Sequence, residues 1–98
     1  MIRRVIARNG CVSVERAPRP EAPANGYLVR AEWSLISPGT ELGLIAGSAN
    51  GPERPLGYSL VGRVVMAGPE APALPPGKLV ACAGHEWAGH ADLAAIPP

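Results

Sequence analysis

The sequence predicts a mostly β domain, short strands closing around one core with one or two helical turns. Three observations carry that expectation: a length of 98 residues, 12 Gly beside 12 Pro, and runs in which apolar and polar residues alternate. A chain of this length has room for one core. Glycine and proline at this density interrupt long helices and suit turns between short strands. The apolar fraction of 47% supplies the interior. Several short strands around one core close into a barrel or pair as a sandwich, because bare sheet edges invite unwanted pairing.

Residues 2–7 and 11–16 read as strands joined through Arg8-Asn9-Gly10, where Asn-Gly tolerates the positive φ angles of a tight hairpin turn. Residues 17–26 contain three prolines, which cannot donate to a sheet ladder, and form a surface connection. Residues 27–35 alternate clearly: Tyr27, Val29, Ala31, Trp33 and Leu35 share one face, and Arg30, Glu32 and Ser34 the other. On this reading Trp33 belongs to the core. Pro38-Gly39 ends the strand, and residues 40–47 offer Leu42 and Ile45 at helical spacing before a glycine that can stop a helix. Residues 48–57 read as an irregular loop, residues 58–67 as a second long strand, and residues 79–83 and 91–96 as shorter ones.

A formal charge of +1, with a single lysine and scattered arginines, supplies no basic face for a phosphate backbone, so nucleic acid is not an expected partner. No run approaches the roughly 18 apolar residues of a membrane helix, and the apolar stretch after Met1-Ile2-Arg3-Arg4 stops too soon for an export signal. A cytoplasmic protein with no membrane partner is expected. Cys11 and Cys82 read as free thiols in a chain able to build its own core.

Three segments in order resemble the medium-chain dehydrogenase/reductase superfamily: Gly26-Tyr27-Leu28-Val29-Arg30, then Ser34-Leu35-Ile36-Ser37-Pro38-Gly39-Thr40-Glu41-Leu42, then Leu56-Gly57-Tyr58-Ser59-Leu60-Val61-Gly62-Arg63-Val64-Val65. Pro76-Gly77-Lys78-Leu79-Val80 is similar to the family's Pro-Gly-Asp-Arg-Val, and His90-Ala91-Asp92 followed by Pro97 to its later His-Ala-Glu…Pro. Ser37-Pro38-Gly39-Thr40-Glu41 looks like a recurring variant within it. The resemblance implies that residues 1–98 form one GroES-like, alcohol dehydrogenase N-terminal-like domain, a mostly β, partly open β-barrel, without the Rossmann domain that follows in the family. In zinc-dependent members one ligand is a cysteine, here Ser37 or Pro38, and a second is the histidine of Gly-His-Glu, here Tyr58 of Gly57-Tyr58-Ser59. Catalytic zinc needs three Cys, His, Asp or Glu ligands, so the resemblance implies a zinc-independent form.

The same resemblance singles out Thr40 and Tyr58 as catalytic candidates and Ser37 and Glu41 as substrate-pocket residues. Thr40 matches a hydroxyl that relays a proton in zinc-containing relatives; equally, it would serve as a helix-start cap, with Glu41 favouring the same helix end. Tyr58 could polarise a substrate carbonyl, or stand as a barrel tyrosine with its hydroxyl in water. His85-Glu86-Trp87-Ala88-Gly89-His90 has one residue too many for a zinc-protease helix and reads as a polar surface turn; a weaker alternative joins Cys82, His85 and His90 in an adventitious metal site.

No strand–Gly-x-Gly-x-x-Gly–helix is present, so the chain alone is expected to bind no cofactor. NAD(P)H, a small-molecule substrate and a Rossmann domain, from the same gene or a separate chain, are the implied partners of a complete enzyme, and association with a second copy is compatible with the family. The leading function is the substrate side of a zinc-independent NAD(P)-dependent oxidoreductase. A stand-alone GroES-like binding module is the alternative, and a co-chaperonin subunit a more remote one.

Overall fold

The computed structural model describes residues 1–84 and 87–97, which form two antiparallel sheets and one helix. In chain order the elements are β1 (Ile2–Arg8), β2 (Cys11–Ala17), β3 (Tyr27–Ser34), α1 (Pro38–Gly47), β4 (Arg54–Pro55), β5 (Ser59–Ala67), β6 (Leu79–Ala83) and β7 (Leu93–Ile96). One sheet runs β2-β1-β4 and the other β6-β5-β3-β7, so the barrel is open rather than closed. No helix among the described residues is long and apolar enough to cross a membrane, which says nothing of membrane-spanning strands.

The first hairpin follows from two residues. Asn9 (φ 52°) and Gly10 (φ 76°) are both left-handed, as a two-residue type I′ turn requires. That turn sets Arg8 opposite Cys11 and carries the register through to Ile2 opposite Ala17. β4 lies inside the stretch expected to be an irregular loop. It is only two residues long and sits on a sheet edge, where Pro55 needs to donate no ladder hydrogen bond.

β3 departs from simple alternation. Its pairing with β5 shifts register between Leu28 and Val29 and again between Ala31 and Trp33. The extra residue is Val65 of β5 at the first shift and Glu32 of β3 itself at the second, where it reverses the face that the following β3 side chains occupy. Leu28 and Val29, consecutive and so on opposite faces of β3, are both buried, Leu28 with Ile2 and Leu93, Val29 with Leu60, Ala88 and Ala94. One strand thereby serves two apolar clusters. After the second shift Trp33 turns outward and is 77% exposed, contrary to the core position that alternation assigns it. Leu35 and Ile36, which continue the chain, are exposed as well.

The helix begins at Pro38, two residues before the expected start, and its ten residues exceed the one or two turns anticipated. Proline is preorganised for the first helical position. Ser37 is the N-cap residue, so Thr40 lies inside the first turn, and the capping role considered for it does not hold.

Residues 88–92 fasten the two sheets together. Val5 N donates to His90 O (2.9 Å), His90 N to Leu56 O (2.8 Å), and Leu56 N to Val5 O (3.0 Å). Arg4 bridges Ala91, and Asp92 N donates to Arg3 O while Arg3 N donates to the Asp92 carboxylate at 2.8 Å. That backbone hydrogen bond, followed by the Arg3 guanidinium, holds the Asp92 carboxyl below its ordinary value. The Arg4 guanidinium does the same for Glu15, with help from Arg8. A carboxyl with a depressed folded pKa contributes stability above its unfolded value of about 4 and loses that contribution as pH falls through the folded value. The urea midpoint should therefore fall between pH 6 and pH 3, and Asp92→Asn with Glu15→Gln should flatten that fall; an unchanged pH profile in the double variant would refute the assignment.

Candidate functional site

Glu41 is a buried acid, 6% exposed, on the first turn of α1. The Ser37 side chain makes no cap hydrogen bond; instead the Glu41 carboxylate accepts the Ser37 N–H at 2.5 Å. Its other oxygen meets His90 Nε2, also at 2.5 Å. A carboxylate near a helix N-terminus is favoured by the helix dipole and by unsatisfied amides there. The site is thus partly the helix's own start.

His90 reaches Glu41 because its backbone is pinned between β1 and Leu56. Gly57 (φ 95°) allows this close approach: a Cβ there would lie 2.7 Å from His90 N and 2.9 Å from the ring. The other ring nitrogen, Nδ1, is 2.6 Å from Ser34 Oγ at the end of β3. An ionised Glu41 only accepts, so the imidazole proton sits on Nε2, and in the neutral ring Nδ1 is then an acceptor for the Ser34 hydroxyl. Both His90 and Glu41 side chains are nearly enclosed, at 11% and 8% exposure.

Tyr58 OH donates to Ser37 Oγ at 2.9 Å. Three of the four sequence-predicted site residues, Ser37, Glu41 and Tyr58, are therefore joined by two hydrogen bonds that meet at Ser37. Thr40 is exposed on the same helical turn. Ser34 and His90 are functional candidates that pattern reading did not pair, since they are 56 residues apart. The surface-turn expectation fails at its described end: Ala88 is fully buried and His90 faces inward. His85 and Glu86 lie outside the described residues, so the proposed cluster with Cys82 does too. Trp87 donates Nε1 to Ala83 O at 3.0 Å. Cys11 and Cys82 are free thiols, and burial pushes the Cys82 thiol above its ordinary value.

Ser34, Glu41 and His90 line a cavity of about 520 Å³. Ile36, Leu42, Ile45 and Leu56 supply much of its apolar wall, and no lysine or arginine contributes to it. The arrangement offers a proton-carrying imidazole and a serine hydroxyl at one polar corner of an apolar space. Among the described residues no three His, Cys, Asp or Glu side chains converge as a metal site.

No family model and no curated protein matches this chain. Solved structures do. An alcohol dehydrogenase superfamily protein from Novosphingobium aromaticivorans superposes with a TM-score of 0.83 at 27% identity, covering 98% of this chain and 32% of that one. The quinone oxidoreductase from Coxiella burnetii gives 0.80 at 19% identity, covering 99% and 35%. A mycobacterial quinone oxidoreductase gives 0.74 at 17%, covering 99% and 32%. The last two, at their identities, speak for the fold alone. This chain spans about a third of the length of each.

Proposed function

We propose that this chain, by fold and motif a GroES-like N-terminal domain of the medium-chain dehydrogenase/reductase superfamily, is the substrate side of a zinc-independent NAD(P)-dependent oxidoreductase. The observation that carries the reading is the joined set Tyr58–Ser37–Glu41 beside an apolar cavity; it is the sequence resemblance that matches Ser37 or Pro38 and Tyr58 to metal ligands of zinc-dependent relatives. A hydroxyl pair and a carboxylate already engaged by imidazole do not fit catalytic zinc, which takes three Cys, His, Asp or Glu ligands and an open position. Nor do the described residues fit a dinucleotide, because α1 opens with Pro38-Gly39 and not with a glycine-rich phosphate turn. The cofactor would be held by a Rossmann domain outside this sequence, and its chemistry is hydride transfer.

This chain's part is to orient the substrate oxygen and stabilise charge on it. Tyr58 and Thr40 are the proposed hydrogen-bond donors, Tyr58 by turning its hydroxyl from Ser37 to the substrate oxygen, and the proposed pocket residues are Glu41, on the cavity wall, and Ser37, hydrogen-bonded to it. Because Ser37 Oγ accepts from Tyr58, its own hydrogen remains to donate elsewhere. Donors aimed at developing oxyanion charge contribute about 3–4 kcal/mol each where water is excluded. In the complete enzyme Tyr58→Phe should lower kcat by about a hundredfold while changing KM little, since the lost interaction strengthens in the transition state. Unchanged kcat, or one equivalent of zinc in active enzyme by elemental analysis, would overturn the reading.

A further inference from the structure

We propose that the free edge of β6 is a docking surface for a second copy of this chain, which adds its own β6 antiparallel and centred on Ala81, so that the two four-stranded sheets run on as one. The inference concerns assembly and stands apart from the reaction proposed above.

The register fixes what the edge offers. Gly84 N donates to Tyr58 O at 2.8 Å and Val64 N to Lys78 O at 3.0 Å, so the even-numbered residues of β6 turn their backbone polar groups toward β5. Leu79, Ala81 and Ala83 turn theirs the other way, where β6 ends the sheet. Among the described residues the outward groups of Leu79 and Ala81 have no hydrogen-bond partner, and Ala83 O takes Trp87 Nε1, which closes the edge at that end.

The other edges are blunted. The two-residue turn makes Arg8 and Cys11 a hydrogen-bonded pair, so β2 points Val12, Val14 and the charged Arg16 outward. β4 is only Arg54–Pro55, and β7 runs into Pro97. Charge, proline and shortness are the usual devices against edge pairing. β6, Leu-Val-Ala-Cys-Ala, has no charge and no proline. An edge this bare is a template for another strand.

The outer face of the sheet points the same way by a separate route. Trp33 pairs with Val61, and Val61 with Ala81, so the three form one row across the strands. Leu60 and Cys82, on the opposite face, pack into the core, whereas Trp33 is 77% exposed and Ala81 is exposed as well. The apolar row therefore starts at Trp33 and stops at the free edge, where a side chain on an added strand would extend it.

The edge complements itself, which selects a second copy as the occupant. With Ala81 opposite its counterpart, each Ala81 amide donates to the other's carbonyl, and Leu79 comes opposite the partner's Ala83. The row then reads Trp33, Val61, Ala81 and the same three in reverse. Lys78 and Arg63 lie on one side of Ala81, so the two-fold rotation carries the partner's copies to the far end of the pairing and no like charges meet.

Sedimentation velocity should show a reversible dimer of twice the 10.1 kDa chain mass, with a dissociation constant in the roughly micromolar range that suits a small interface. Ala81→Lys and Ala81→Glu, at an exposed position, should each weaken self-association by about tenfold, because like charges then face each other. Mixed in equal amounts the two should recover the dimer, which separates lost docking from lost folding. Val14→Lys, on the β2 edge, should leave the dimer unchanged. In the unaltered chain the Leu79 and Ala81 amides should exchange their hydrogens more slowly as concentration rises. A single-chain mass up to about 1 mM would give the edge to a strand of another polypeptide and overturn the proposal. So would a dimer lost with Val14→Lys but kept with Ala81→Lys, or Leu79 and Ala81 exchange that is independent of concentration.

Discussion

Gly57→Ala should destabilise the domain by about 3 kcal/mol, combining left-handed strain with overpacking. The new methyl group would meet His90 N at 2.7 Å and the imidazole at 2.9 Å. Those are backbone and a ring pinned at both nitrogens, neither of which can swing away. Relief requires the segment around His90 to withdraw, which breaks the 2.8 Å hydrogen bond from His90 N to Leu56 O and loosens the join between the sheets. Against a total stability of about 5–10 kcal/mol for a domain of this size, the melting temperature should drop by roughly 15 °C. Gly43→Ala is the opposite control. That glycine is helical with nothing within 4 Å of the added Cβ, so alanine should stabilise by about 0.5–1 kcal/mol. Equal melting temperatures for the two variants would refute the close-approach argument.

Glu41→Ala should have a comparable effect through a different cause. The carboxylate satisfies the Ser37 N–H at the helix start and His90 Nε2 in a nearly dry setting. Removing it leaves two enclosed polar groups without their acceptor, each costing about 1–3 kcal/mol. Glu41→Gln keeps the shape and one carbonyl acceptor, so its loss should be near 1 kcal/mol. Denaturant midpoints on both variants separate these cases: losses of the same size would mean that charge-assisted bonding to His90 adds nothing beyond shape.

What could be read from the sequence was local. Asn9-Gly10 dictates the first hairpin because its dihedral demands involve only neighbours, and β6 begins and ends where its apolar run does. Trp33 escaped because a bulge depends on the partner strand: alternation within residues 27–35 is sound up to Ala31, and the register shift against β5 lies beyond what one strand encodes. Glu41 and Tyr58 were singled out by family likeness, yet nothing in the spacing announced that the first would bury itself against His90. That contact spans 49 residues and needs three elements in place at once. Burial of an acid inside an Ser-Pro-Gly-Thr-Glu motif was the available signal, if the helix start had been placed at Pro38 and Glu41 read as its internal amide acceptor.

The fastening of the sheets by residues 88–92 also orders events in time. Arg3 and Asp92 meet across 89 residues, and β7 pairs with β3 only after nearly the whole described chain exists. The β1–β2 hairpin and the β3–β5 pair have shorter loops to close and can form first, whereas the join between them waits for residues 88–92. Folding should thus be limited by late, distant closure, and the polar corner of the cavity is assembled by the same event that finishes the domain. A nascent or unfolded chain has no partial version of the Ser34–His90–Glu41 contact to display, so that polar corner exists only in the completed fold.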